Sequence, residues 1–275
     1  MFLDSLKQIY LDNRHQPPLY LRNLLKETVQ FYVLNFIFNS VWGEGLIMKG
    51  GTCLRFCFGL PRLSEDLDFD IETAVDFSLE QLTQDLRDYF VKTLKFDQLE
   101  IKTAKNHRTI YLKFPILKQI GLAVNPAESN LLHVRIDLSA VPKTKFKTEI
   151  SLKSTYDFSF IIRRYSLPDL FAGKISAILT REKFEGKTKT ARFKGRDYYD
   201  LTWFLEKGVN PNWEFVRVAT GLAPAAAKKR LKQKIKQVSS RFLKEDLLPF
   251  FADRKFIENF AENFATLAKE KLNQL

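Results

Sequence analysis

Apolar positions recur at two different spacings along this chain. From 19 to about 39, Leu21, Leu24, Leu25, Val29, Tyr32, Val33, Phe36 and Ile37 form one stripe at helical spacing, which predicts a long helix packed against a sheet. A shorter helix over 3–12 precedes it and is broken by His15-Gln16-Pro17-Pro18. A second amphipathic helix is expected over 78–94, with Ser78 as its cap and Gln81 at the capping-box position. Alternating segments at 98–103, 109–114, 131–140 and about 158–164 predict strands, with Asn106-His107 as the turn between the first two. Ser166-Leu167-Pro168-Asp169 carries a cap, a first-turn proline and an early acid, so a helix is expected from there to about 184. Its apolar side is Leu170, Phe171, Ile175, Ile178 and Leu179, with Lys174 among them and Arg181 two turns on. Helices follow at 195–208, 213–220, 224–243 and 253–273; 42–45 and 120–130 read as loops.

One stretch departs from simple amphipathicity. Leu46-Ile47-Met48 reads as a strand, Gly50-Gly51 as a tight turn, and 52–59 as a short helix bearing Leu54, Phe58 and both cysteines. Such a helix aims its free N–H groups over the glycines, an arrangement that suits phosphate. In Asp66-Leu67-Asp68-Phe69-Asp70-Ile71 the acids fall on one strand face and the apolar residues on the other. Carboxylates two residues apart on a strand are roughly 6–7 Å apart and can bracket hard cations. A solvated acidic edge strand is the simpler account of Asp-x-Asp alone; the glycine pair upstream favours a cation site. The run 131–138 repeats the alternation, with Val134, Ile136 and Leu138 on one face and Arg135 and Asp137 on the other. Asp137 is thus either a third carboxylate beside Asp66 and Asp68 or a surface acid near a strand end.

Lys49 to Glu72 resembles the first motif of the DNA polymerase β-like nucleotidyltransferases, and GGTCLRF followed by PRLSEDLDFD is similar to the AbiEii/AbiGii (MenT-like) toxin group within them. Fourteen residues separate Gly51 from Asp66, a spacing that suits this group, where Arg-x-Ser-x-Asp precedes the second acid. The resemblance runs from about 25 to about 210. It implies an α/β (α+β) nucleotidyltransferase fold: a mixed sheet with helices over 1–165, followed by a helical domain over 166–275 that completes the active-site cleft. It further implies that Asp66 and Asp68, with Asp137 as co-ligand or base, hold two Mg²⁺ ions. Gly50, Gly51, Thr52, Arg62, Ser64 and Lys174 would hold the triphosphate of an NTP. LFAGKISAILTR resembles a second family block, in which a helical lysine contacts phosphate; Lys174 otherwise snorkels past an apolar helix. RDYYDL resembles the last block, which makes Asp197 and Asp200 catalytic candidates; acids at a helix start are otherwise partners of its dipole. The activity implied is nucleotide transfer to RNA, above all the 3′ end of tRNA, by a toxin with a cognate antitoxin protein.

Bulk properties narrow this only slightly. The 275 residues are 45% hydrophobic and carry a net charge of +12, which gives a substantial core and favours an anionic partner. No apolar run is long enough to cross a bilayer and no signal peptide is evident, so a cytoplasmic protein without a membrane partner is expected. Cys53 and Cys57 read as core residues, and the three scattered histidines argue against zinc. Basic residues are densest from Lys183 to Arg196, where Lys187, Lys189, Arg192, Lys194 and Arg196 form either a solvated loop or a clamp on an RNA backbone. An Ala- and Lys-rich helix over 223–236 adds a second basic face. Two other functions stay open: a nucleotidyltransferase acting on a small molecule or protein, and an inactive nucleic-acid-binding module.

Overall fold

The computed structural model describes residues 2–72, 76–104, 108–155, 157–185, 188–191 and 194–275, with backbone alone for 182–185 and 188–191. In chain order its elements begin with α1 (Phe2–Asn13), α2 (Pro18–Phe38), α3 (Trp42–Gly45), β1 (Leu46–Lys49), α4 (Gly50–Phe58) and β2 (Asp66–Ile71). Next come α5 (Leu79–Asp88), β3 (Glu100–Thr103), β4 (Thr109–Pro115), α6 (Leu117–Ile120), β5 (Leu131–Ala140), β6 (Thr148–Ser154) and β7 (Ser159–Tyr165). The remainder is α7 (Leu167–Thr180), β8 (Glu182–Glu185), β9 (Thr188–Ala191), α8 (Gly195–Glu206), α9 (Trp213–Thr220), α10 (Pro224–Gln237), α11 (Ser240–Leu247) and α12 (Arg254–Asn273). Two compact units result: one runs through Val141 and includes Glu149–Arg164, the other holds Pro142–Thr148 and Tyr165–Leu275.

The first unit is built on a mixed sheet of order β3-β4-β5-β2-β1-β7-β6. At its centre β2 runs antiparallel to β1 and parallel to β5, while β1 runs parallel to β7. The alternation in the sequence sets what each face carries: Leu67 and Phe69 of β2 and Leu132, Val134, Ile136 and Leu138 of β5 are all buried. An aromatic cluster seals this core, with Phe2 against Tyr32, Phe96, Phe90 and Phe114 at ring-centroid distances of 4.9, 5.3, 5.4 and 5.7 Å. Arg55 of α4 forms a two-pronged pair with Glu27 of α2, which ties the two helices together.

The second unit is helical around α7 and α8, whose Phe171 and Phe204 rings stack at 4.4 Å. Ser166 caps α7 as its sequence predicts, its hydroxyl accepting from the Asp169 amide. Several expectations need correction. Residues 42–45 form a helical turn rather than a loop, and β6 has no counterpart among the expected strands; its alternate residues Ile150 and Leu152 are exposed. Helix α7 stops at Thr180, so Arg181 stands beyond it in extended backbone. Within the basic segment after it, 182–185 and 188–191 are two short antiparallel strands where a loop is expected. The helix expected over 224–243 breaks at Val238, and Ser239 caps a new one by accepting from the Phe242 amide. The expected Asn106-His107 turn lies outside the described residues.

Candidate active site

Register brings distant acids together in the first unit. In the parallel pairing of β2 with β5, Asp66 stands opposite Arg135 and Asp68 opposite Asp137. Neighbouring strands are about 4.8 Å apart, so Asp68 and Asp137 are side-by-side neighbours on one face. On the flanking strands Lys49 pairs with Asp68 and Thr109 with Asp137, so four strands contribute to the same polar strip.

The strip is partly neutralised from within. One terminal guanidinium nitrogen of Arg135 donates to Asp66 Oδ2 at 3.0 Å and lies 2.8 Å from Asp137 Oδ2. The Thr109 hydroxyl donates to the other oxygen of Asp137 at 2.8 Å. Asp70 is buried, and its Oδ1 accepts from Lys49 Nζ at 2.5 Å and from the Ser139 hydroxyl at 2.8 Å. Partial burial works against the Arg135 charge, but Asp66, Asp137 and Asp68 outweigh it and raise its pKa further. Arg135 Nε, by contrast, is buried with no partner among the described residues. Leaving such a donor unmet costs about 1–3 kcal/mol. Among the described residues no three acids, histidines or cysteines are disposed to hold one metal ion as the side chains stand. A bare acidic cluster would be relieved by losing a carboxylate; with Arg135 between them, removing Asp66 instead breaks an ion pair.

The glycine turn is fitted to this strip. Gly50 has φ of +78°, and a Cβ there would lie 2.1 Å from Asp68 Oδ2. A Cβ on Gly51 would meet the Arg62 guanidinium at 2.6 Å and the Ser64 hydroxyl at 2.9 Å. Arg62 and Ser64 are only 2% and 6% exposed, and Arg62 donates to the Leu63 carbonyl, so both stand behind the turn and shape it. Thr52 is fully buried, and its hydroxyl donates to the Asp66 carbonyl at 2.5 Å, tying α4 to β2. The first turn of α4 has no side-chain cap. Gly50→Ala should therefore destabilise the protein by at least about 1–2 kcal/mol from left-handed backbone alone, and displace Asp68 as well. Gly59→Ala is the control, because Gly59 has φ of +72° but nothing within 4 Å. Chemical denaturation should show both variants weakened, and a transfer assay should show only Gly50→Ala inactive.

The other sequence-derived residues form a second group, within the second unit. Lys174 Nζ lies 3.0 Å from Asp197 Oδ1 and 2.8 Å from Asp200 Oδ2, and Arg181 reaches Asp197 Oδ2 at 3.0 Å. Asp197 and Asp200 are buried. Burial pushes the Asp197 pKa up, but Lys174, Arg181 and Lys194 overcome it and hold the carboxyl below its ordinary value. Arg196 is packed inward, its guanidinium 4.3 Å from the Phe250 ring and its backbone amide donating to Asp246 at 3.1 Å. A backbone clamp using Arg196 would first have to release it. Lys187 and Arg192 lie outside the described residues, as does the side chain of Lys189.

Lys194 is pushed down to about 8, by burial first and then by Arg196, Lys174 and Arg181. An unfolded lysine titrates near 10.4. The folded state thus binds fewer protons than the unfolded state between about 8 and 10, and stability should rise with pH across that window, the penalty being fully present below it. Urea midpoints over this range should climb for the parent relative to Lys194→Met; parallel curves would remove the assignment.

Arg135, Thr109 and Lys49 were not singled out by sequence reasoning. Arg135 alternates with Asp137 in the same strand and Lys49 immediately precedes the glycine pair, so each had a signal. Thr109 had none, since only the register of β4 on β5 sets it beside Asp137.

Comparison with solved structures sets this geometry among known folds. The nucleotidyltransferase toxin MenT4 from Mycobacterium tuberculosis superposes with a TM-score of 0.56 at 14% identity, over 98% of this chain and 92% of that one. JHP933 from Helicobacter pylori matches with a TM-score of 0.49 at 18% identity, over 92% of this chain and 93% of that one. A comparison with curated proteins found no match. The family model described as "Nucleotidyl transferase AbiEii toxin, Type IV TA system" matches residues 33–272. That span takes in the glycine turn, both acidic strands and the Lys174–Asp200 cluster, and the chain belongs to the AbiEii family of nucleotidyltransferase toxins of type IV toxin–antitoxin systems.

Proposed function

We propose that this toxin transfers a nucleotide from an NTP to the 3′ end of tRNA in a Mg²⁺-dependent reaction, in a cytoplasm where a cognate antitoxin protein opposes it. The observation that carries the reading is the register of β2 on β5, which sets Asp68 beside Asp137 with Asp66 one pleat away, next to the glycine turn. The donor set fits a hard divalent cation: all the ligands are carboxylate oxygens, and a guanidinium already stands among them as a cation. Asp66, Asp68 and Asp137 would hold Mg²⁺, which supplies charge neutralisation on the phosphates when bound.

The residues of the chain do the positioning. The uncapped first turn of α4 offers its backbone N–H groups to phosphate oxygens, with Gly50 and Gly51 letting the backbone come close. Arg62, Ser64 and Thr52 hold that turn in shape from behind. Lys174, its ammonium fixed by Asp197 and Asp200, supplies a further cation to the nucleotide phosphates. The RNA hydroxyl oxygen attacks the α-phosphorus, the bond to the β-phosphate oxygen breaks, and pyrophosphate leaves with that electron pair. Asp137, whose Oδ1 accepts from the Thr109 hydroxyl, serves either as a co-ligand or as the base that takes the hydroxyl proton.

The test is incubation of the full-length protein with total tRNA and each labelled NTP, with and without Mg²⁺. Label should appear at tRNA 3′ ends from a preferred NTP and only with the metal. Labelling of protein or of small molecules alone, or none at all, would replace this reading. The acceptor contact has its own expected result. Neutralising Lys187, Lys189 and Arg192 together should weaken many tRNAs about equally and flatten the salt dependence, which for a clamp of several contacts spans on the order of 10³-fold between 50 and 200 mM salt. Binding titrations at several salt concentrations check it, and identical curves for variant and parent would assign those residues to solvent.

A further inference from the structure

We infer that Arg135 is a resident counter-ion of the carboxylate site, holding Asp66 and Asp137 in place before a divalent cation arrives and competing with that cation for them. The inference rests on the metal-site reading above and concerns its regulation.

Four features of Arg135 combine. A single terminal nitrogen bridges two carboxylates that belong to different strands, at 3.0 and 2.8 Å. The third carboxylate, Asp68, also acts on its charge, so the guanidinium sits in the field of the whole set. Its Nε is buried without a partner among the described residues, so the fit is incomplete on one side. The side chain is 41% exposed, which leaves an open route to solvent.

A guanidinium with five donors and forked geometry is best satisfied by a two-pronged carboxylate pair. Here one nitrogen is shared and another is wasted, whereas Arg55 in the same unit makes the full fork with Glu27. The contact is therefore strong enough to prevent repulsion among the acids and poor enough to be displaced. Displacement needs a cation of higher charge density, and a divalent ion delivered with a triphosphate provides one. Once displaced, the same guanidinium is a free cation beside the phosphates, so metal entry and nucleotide contact become linked through one side chain. Arg135 is thereby a positioning residue for the reaction.

The experiment uses the full chain and Mn²⁺ as the probe, with free ion read by electron paramagnetic resonance in the absence of nucleotide. An opposite charge within this distance of a carboxylate typically changes its occupancy by a cation on the order of ten-fold or more. Arg135→Met should therefore bind Mn²⁺ on the order of ten-fold more tightly than the parent, and Arg135→Lys, which keeps the charge, should stay close to the parent. Thermal melts should show Arg135→Met less stable than the parent without metal and regaining much of the difference with it. That last readout remains informative if the methionine variant is too weak to titrate. Unchanged or weaker Mn²⁺ affinity in a folded Arg135→Met would overturn the inference while leaving the metal site intact, provided Asp68→Asn loses the ion. Absence of Mn²⁺ binding in parent and variants alike, with or without NTP, would overturn both.

Discussion

Replacing Asp68 with asparagine should lower nucleotide transfer by at least on the order of 10³-fold, because charge stabilisation by a metal-bound carboxylate is worth several kcal/mol and each 1.4 kcal/mol is tenfold in rate. Asparagine keeps the volume that Gly50 is shaped to accommodate, so the turn should survive and the loss should be one of charge alone. Asp66→Asn should act in the same direction but also weaken the fold slightly, since Arg135 loses one of its two carboxylates. That pair is partly exposed, and screening keeps its worth within about 1 kcal/mol. Asp70 is the internal comparison: it belongs to the same alternating run but is buried and engaged by Lys49 and Ser139. Initial rates with labelled NTP, taken alongside thermal melts, measure all three. An Asp68→Asn protein within tenfold of the parent would remove Asp68 from the chemistry.

The largest effect on stability is expected in the other unit. Asp200 is fully buried, and its carboxylate lies 2.8 Å from Lys174 Nζ, itself largely enclosed. Asp200→Ala removes one of the two carboxylates that hold Lys174, in a cluster where Arg181 also pairs with Asp197. Breaking a buried pair from one side typically costs about 3–5 kcal/mol, whereas replacing both partners with apolar groups is often close to neutral. Denaturant titration should accordingly show Asp200→Ala strongly destabilised and Lys174→Met/Asp200→Leu recovered by most of that amount. The double variant also separates the two roles of the cluster. If it is stable and still transfers nucleotide at the parent rate, Lys174 serves only the fold; the proposed phosphate contact requires it to be stable and impaired.

Much of this site was legible in one dimension because its signals are local. The alternation in Asp66–Ile71 fixes which side chains share a face, whatever the strand pairs with. The Gly50-Gly51 pair announces backbone that favours glycine, and Gly50 adopts it with φ of +78°. Ser78 and Ser166 announce helix starts because a cap acts within three residues, and both hydroxyls accept the expected amide. Ends were harder to place. Helix α7 stops before Arg181 and the expected 224–243 helix breaks at Val238, neither with a glycine or proline to mark it.

The sequence by itself determined the strand faces, the turn that needs glycine, and the residues available to carry charge. Tertiary structure decided which of those charges meet. Asp66 and Arg135 are 69 positions apart, and only the parallel register of β2 on β5 sets them opposite each other. Nothing local encodes that register, because a strand presents the same two faces to any neighbour and a shift of two residues preserves the pattern. The sheet order β5-β2-β1-β7 is likewise set by which apolar faces bury one another, a property of the whole core. For the same reason a run that reads as bare acid is a partly neutralised strip, and a lysine that reads as a lone cation on a helix is bound by two aspartates from the next one.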